Sequence, residues 1–169
     1  MKSQTILAAC LLLAFPFAVA NSAPPADGNL HVILGGDHAD PTIVRDGEDF
    51  YITHSSYRTY PGLTIWHSTN LTDWKPISNA LHQDVGTVWA PDLIKHDGLF
   101  YLYFPSSGKN YVVTAEDPHG PWSDPIELDV PGIDPGHIAT PEGDRYLYMH
   151  NGNVVPLSRD GLKVTGDPE

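Results

Sequence analysis

Beyond about residue 30, the chain alternates short apolar and aromatic runs with polar breaks at close intervals. The runs Phe50–His54, Thr64–Ser68, Leu99–Phe104, Tyr111–Ala115, Tyr146–His150 and Asn153–Leu157 are rich in Tyr, Ile, Val and Thr. Most of the chain's sixteen Pro and fifteen Gly fall among them and punctuate the chain with tight turns. Runs this short favour strands over helices, and no segment after the leader predicts a helix. The expected fold class is all-β.

The runs recur as a unit. Asp40-Pro41-Thr42-Ile43-Val44-Arg45-Asp46-Gly47 leads into Phe50-Tyr51-Ile52, and Pro91-Asp92-Leu93-Ile94-Lys95-His96-Asp97-Gly98 leads into Phe100-Tyr101-Leu102-Tyr103. Ile133-Asp134-Pro135 leads through Gly143-Asp144 into Tyr146-Leu147-Tyr148. The second half of the unit recurs as well. Ser68 to Trp74 is answered by Ala115 to Trp122, and more weakly by Ser158-Arg159-Asp160-Gly161-Leu162. The leading Asp residues lie 52 and 42 positions apart and the two Trp residues 48 apart. A sheet unit of that period predicts propeller blades, about three of them in this chain. A β-sandwich also repeats strands and turns, but a two-part match in three units favours the propeller.

Residues 1–20 change the picture at the N-terminus. Lys2 is followed by an apolar run from Ile6 to Ala20, and Ala18-Val19-Ala20 has the small-residue pattern of a cleavage site. This is the build of a secretory signal peptide, so residues 21–169 form the expected partial propeller domain and the expected address is secreted or periplasmic. Leu7-Ala8-Ala9-Cys10 has the look of a lipoprotein box, but the apolar run continues past Cys10, where lipidation would end it. Cleavage after Ala20 removes the single Cys and one Lys, which takes the formal net charge from −12 to −13. Such a field repels nucleic acid and anionic membranes and suits a neutral ligand. The nine His residues show no ligand spacing, and no P-loop, GxGxxG or HExxH motif is present, so neither a metal nor a cofactor is expected.

Asp40, Asp92 and Asp134 are the candidate chemistry. Each is expected to open the innermost strand of its blade, and innermost strands converge on a propeller axis. Carboxylates gathered there form the kind of group that glycoside hydrolysis requires. Asp beside Pro is also a common turn former. Asp46, Asp97 and Asp144, each beside Gly, belong to that class, and Asp92 fits both readings.

The stretches His38-Ala39-Asp40-Pro41-Thr42-Ile43, Tyr60-Pro61-Gly62-Leu63-Thr64-Ile65-Trp66-His67-Ser68 and Leu71-Thr72-Asp73-Trp74 resemble the opening of glycoside hydrolase family 43. The resemblance is strongest to its β-xylosidase and α-L-arabinofuranosidase branch. Val88-Trp89-Ala90-Pro91-Asp92, Gly120-Pro121-Trp122-Ser123-Asp124-Pro125 and Ile133-Asp134-Pro135 are similar to its later blocks, in order, over about residues 35–166. The resemblance implies a five-bladed propeller and an inverting mechanism on plant cell-wall pentosans. It places Asp40 on the general base and Asp134 on the carboxylate that orients the acid and raises its pKa. Trp89 and Tyr60 fall on positions lining the sugar pocket, with Asp92 beside them, while Trp66, Trp74 and Trp122 suit ordinary blade packing. The family's general acid is a Glu on a fourth blade, and none of Glu48, Glu116, Glu127, Glu142 or Glu169 sits in a matching context. Gly136-His137-Ile138-Ala139-Thr140 departs from the commoner aromatic-rich version, which leaves the sugar open.

Two other functions compete. A carbohydrate-binding propeller that kept its pocket and lost the acid would carry the same motifs, and so would an inactive truncated product. The fructan-cleaving propellers share the architecture, but their motif has Asn where this chain has Ala39. In the glycosidase and carbohydrate-binding readings alike the partner is an oligo- or polysaccharide.

Overall fold

The computed structural model describes residues 32–169, so the leader and its Cys lie outside the described residues. Those residues form eleven strands in three antiparallel sheets, with no helix among them. The first sheet runs β1 (Thr42–Asp46), β2 (Asp49–Thr53), β3 (Gly62–Ser68), β4 (Lys75–Leu81) in sequence order. The second runs β5 (Asp92–His96), β6 (Leu99–Ser106), β7 (Lys109–Ala115), β8 (Ile126–Leu128). The third runs β9 (Gly136–Ala139), β10 (Arg145–Tyr148), β11 (Val154–Leu157), and residues 163–169 add main-chain bonds along β11, from Thr165 N to Pro156 O and between Val154 and Glu169. Three meandering sheets of this kind are propeller blades.

The six runs singled out in the sequence all hold strands, with ends shifted by at most two residues. The structure adds β1, β5 and β9 on the inside of each blade and β4 and β8 on the outside. These strands, all but β4 of five residues or fewer, mix polar with apolar residues, because each has a neighbour on one side only within its sheet. Turn chemistry explains the hairpins. Asp97-Gly98 and Ser107-Gly108 each place two consecutive residues at positive φ, as a two-residue turn of matching twist demands.

The blades stack face to face. In β6, Phe100, Leu102 and Phe104 point into one buried cluster with Leu63 and Ile65 of the first sheet and Leu93 of their own. Tyr101 and Tyr103 point the opposite way, into a second cluster with Leu147, Val155 and Leu157 of the third blade. The middle blade is thus buried on both faces, so β6 reads as a continuous apolar run rather than an alternating one. Each such side chain contributes about 1.5–3 kcal/mol.

Candidate active site

The hairpin register decides which residues share one end of the blades. β1 runs antiparallel to β2, with Thr42 opposite Thr53. The start of β1 and the loop 54–61 after β2 are therefore at the same end. By the same rule that end holds the start of β5, the Ser107-Gly108 turn and the start of β9. Asp40, Tyr60, Trp89 and Asp134 all fall on it.

The blade repeat, aligned on its strands, equates Asp40-Pro41-Thr42, Ala90-Pro91-Asp92 and Asp134-Pro135-Gly136. Asp40 and Asp134 are equivalent, each two residues ahead of its innermost strand. Asp92 is not their counterpart, contrary to the sequence expectation, since it lies past the proline, where the first blade has Thr42. The alignment on "Asp beside Pro" concealed a two-residue offset.

Backbone geometry sets the same pair apart. Asp40 and Asp134 both have φ 55, whereas Ala90 is absent from the positive-φ residues. Left-handed backbone is uncommon outside Gly, and a residue preceding proline prefers extended backbone. Both aspartates are thus held against two preferences, at a cost of about 1–3 kcal/mol each. Both side chains are exposed. Asp40 Oδ2 accepts a hydrogen bond from Ser55 Oγ at 2.6 Å.

Asp92 behaves differently. Its carboxylate is largely buried, and Oδ2 accepts from His137 N of the third blade at 2.7 Å. Burial raises its pKa, and the His137 amide opposes that rise. Thr42, its counterpart, accepts from Leu93 N of the second blade at 3.2 Å. The position after the proline therefore ties each innermost strand to the next.

Trp89 is 44 % exposed and its N donates to Pro105 O at 3.1 Å. It directly precedes Ala90, the counterpart of Asp40, so its exposed ring stands at the mouth between the two strained aspartates in blade order. Tyr60 is 55 % exposed and lines a cleft of about 390 Å³ with Arg58, Gln83, Gly86 and Val88. Neither Asp40 nor Asp134 lines that cleft. A cleft of about 510 Å³ beside Leu99, Ala115 and Trp122 lies at the opposite end of the blades, away from the carboxylates. Trp122 is buried, as blade packing requires.

Beneath Asp40 lies a feature that the strand pattern did not reveal. Thr53, His54, Ser55 and Ser56 are four consecutive buried polar residues. The sequence signal was a break in alternation straight after the apolar Tyr51-Ile52. Among the described residues, no three His, Cys, Asp or Glu side chains cluster as metal ligands.

Comparison with known proteins accords with this geometry. The chain is 37% identical over 151 residues to a protein named xylosidase/arabinosidase from Butyrivibrio fibrisolvens, covering 81% of this chain and 28% of that one. It is 37% identical over 119 residues to a non-reducing end α-L-arabinofuranosidase of Bacteroides ovatus, covering 61% and 22%. The crystal structure of the BlXynB protein from Bacillus licheniformis superposes with a TM-score of 0.75 at 29% identity, covering 81% of this chain and 32% of that one. The chain thus spans less than a third of the length of these relatives. The model of the family described as glycosyl hydrolases family 43 matches residues 30–169, and with its blades and its paired Asp-Pro starts the chain belongs to that family.

Proposed function

We propose that this chain supplies the base-bearing blades of an inverting glycosidase acting on xylan or arabinan oligosaccharides. The observation that carries this reading is the equivalence of Asp40 and Asp134. They are strained alike, exposed alike, and open innermost strands at one end, while the intervening blade has a relaxed Ala90. In the proposed reaction a water attacks the anomeric carbon and gives its proton to Asp40. The glycosidic C–O bond breaks and the leaving oxygen takes a proton from a carboxylic acid on the opposite face of the sugar. Asp134, a negative charge near that acid, keeps it protonated until the transfer. Trp89 offers an aromatic face to the sugar ring, and Tyr60 a rim contact.

The acid itself is assigned to none of the chain's five Glu residues. Glu48 and Glu142 lie in hairpins at the opposite end, and Glu116 follows β7 there. Glu127 is bound by Lys109 at 2.7 Å on an outer strand, and Glu169 pairs with β11. The acid is proposed to come from a further blade, and the leader to direct the protein out of the cytoplasm. The names of the relatives support pentosides as substrates. A carbohydrate-binding propeller is the competing reading.

The test uses residues 32–169 joined to the part of the Bacillus licheniformis chain beyond the matched segment, hereafter the completed enzyme. It should cleave aryl β-xylosides or α-L-arabinofuranosides with inversion, and the isolated chain should not. Sugar binding without turnover in the completed enzyme would favour the binding module.

A further inference from the structure

The polar run after β2 is costly to bury unless its groups are bonded, and several of its bonds converge on one loop. Ser55 N donates to Ala39 O at 3.0 Å, and Ser55 Oγ donates to Asp40 Oδ2 at 2.6 Å. Ser55 O lies 2.9 Å from His54 Nδ1. A carbonyl only accepts, so Nδ1 of His54 carries the hydrogen and Nε2 of the neutral ring is a lone pair. Nδ1 of His38 lies 2.8 Å from that lone pair and donates to it, while its Nε2 lies at a longer 3.3 Å from Gly35 O. Burial lowers the His54 pKa and so favours its neutral ring; the bond to the Ser55 carbonyl opposes this, neighbouring His38 adds to it, and Asp37 opposes it. The ring of His38 is braced edge-on against Trp66, 5.7 Å between centroids. Residues 38, 39 and 40 are thereby each bonded to residue 54 or 55, three links between two short segments.

We infer that Ser55 is a positioning residue for Asp40, with the His38–His54 pair holding Ser55 in place. The Ser55 hydroxyl fixes Oδ2, so that Oδ1 keeps its lone pairs directed toward the attacking water. Without that bond the exposed side chain exchanges between Cα–Cβ rotamers as well as turning about Cβ–Cγ, and spends much of its time misaligned. The strained backbone of Asp40 needs such bracing, because nothing local favours φ 55 before proline. The inference rests on Asp40 being the base proposed above.

The experiment has two arms. In the completed enzyme, Ser55→Ala should lower kcat by about 10- to 100-fold, the scale of a misplaced reacting group, with KM nearly unchanged. Ser55→Thr, which keeps a hydroxyl, should recover most of that loss. An unchanged kcat in Ser55→Ala, or Ser55→Thr as slow as Ser55→Ala, overturns the inference. The second arm uses NMR on the 169-residue chain and needs no turnover. Asp40 side-chain couplings should report one rotamer in the wild type and averaging in Ser55→Ala, and His54 nitrogen shifts should report the Nδ1–H tautomer. Couplings that do not change, or the Nε2–H tautomer, contradict it. If the completed wild-type enzyme is silent while Asp40 loses its rotamer in Ser55→Ala, the functional reading has failed and the positioning has not.

Discussion

Asp40 and Asp92 sit on opposite sides of the same proline in the blade repeat, and their chemistry diverges accordingly. Asp40, before Pro41, is exposed, left-handed and braced by Ser55. Asp92, after Pro91, is largely buried in a strand and bonded to the next blade. The proline ends one environment and starts another, because it fixes the chain's turn into the innermost strand. The carboxylate before the proline is open to solvent, while the one two residues later holds an amide of the next blade. The position after the proline thus ties one blade to the next, and Thr42 does so in the first blade without any charge.

Exchanging effects between the two sides tests this division. The largest effect should come from Asp40→Asn, with a kcat about 100- to 10,000-fold lower in the completed enzyme and an unchanged denaturation midpoint. Urea unfolding alongside steady-state kinetics checks both halves, and a large stability loss would place Asp40 with Asp92.

Asp92→Ala should do the reverse. It leaves His137 N buried without its acceptor and should cost about 1–3 kcal/mol of stability. Asp92→Asn, which retains a carbonyl acceptor, should cost less. Kinetics of the folded fraction should stay near wild type, and a selective collapse of kcat would instead make Asp92 part of the site.

The same blade contact has a pH signature. His137 stacks on Tyr103 at 5.6 Å and accepts from Arg145 Nε at 2.9 Å, with the guanidinium itself fully buried. Burial, then Arg145, then His96 hold the His137 pKa down to about 4. An unfolded imidazole takes up a proton near pH 6.5, so the unfolded chain binds more protons between 6.5 and about 4. Stability is therefore full above pH 6.5, declines as pH falls to about 4, and levels off below. Urea midpoints across that window should show the decline, and His137→Gln should flatten it.

The smallest effect belongs to Thr42→Val. It removes the hydroxyl that accepts from Leu93 N and keeps the shape, so about 0.5–1.5 kcal/mol should be lost, without a charge-dependent component. Salt titration of the unfolding midpoints of Thr42→Val and Asp92→Ala would separate the neutral tie from the ionic one.

Much of this was legible in the sequence, for physical reasons that also mark its limits. Phe100 to Phe104 announced a strand because burial on both faces makes it uniformly apolar. β1, β5 and β9 were harder to read, since a short innermost strand such as Thr42–Asp46 alternates half-buried and exposed positions and mixes in Arg45 and Asp46. Asp40 and Asp134 were visible as Asp-Pro pairs at blade spacing. The misplacement of Asp92 came from counting a carboxylate next to a proline without regard to which side it occupied, a difference the sequence shows but whose consequence only the strand alignment reveals. Ser55 left no pattern of its own, because its role depends on a hydrogen bond to a residue fifteen positions away.

Azide rescue of the completed Asp40→Asn enzyme bears most directly on the role of Asp40. Azide is a nucleophile that needs no base, and a good aryl leaving group needs little acid. Azide should restore turnover of aryl xyloside or arabinofuranoside in Asp40→Asn and give a glycosyl azide of inverted anomeric configuration, while Asp134→Asn gains nothing. No rescue in Asp40→Asn, or a product of retained configuration, would contradict Asp40 as the base at this mouth.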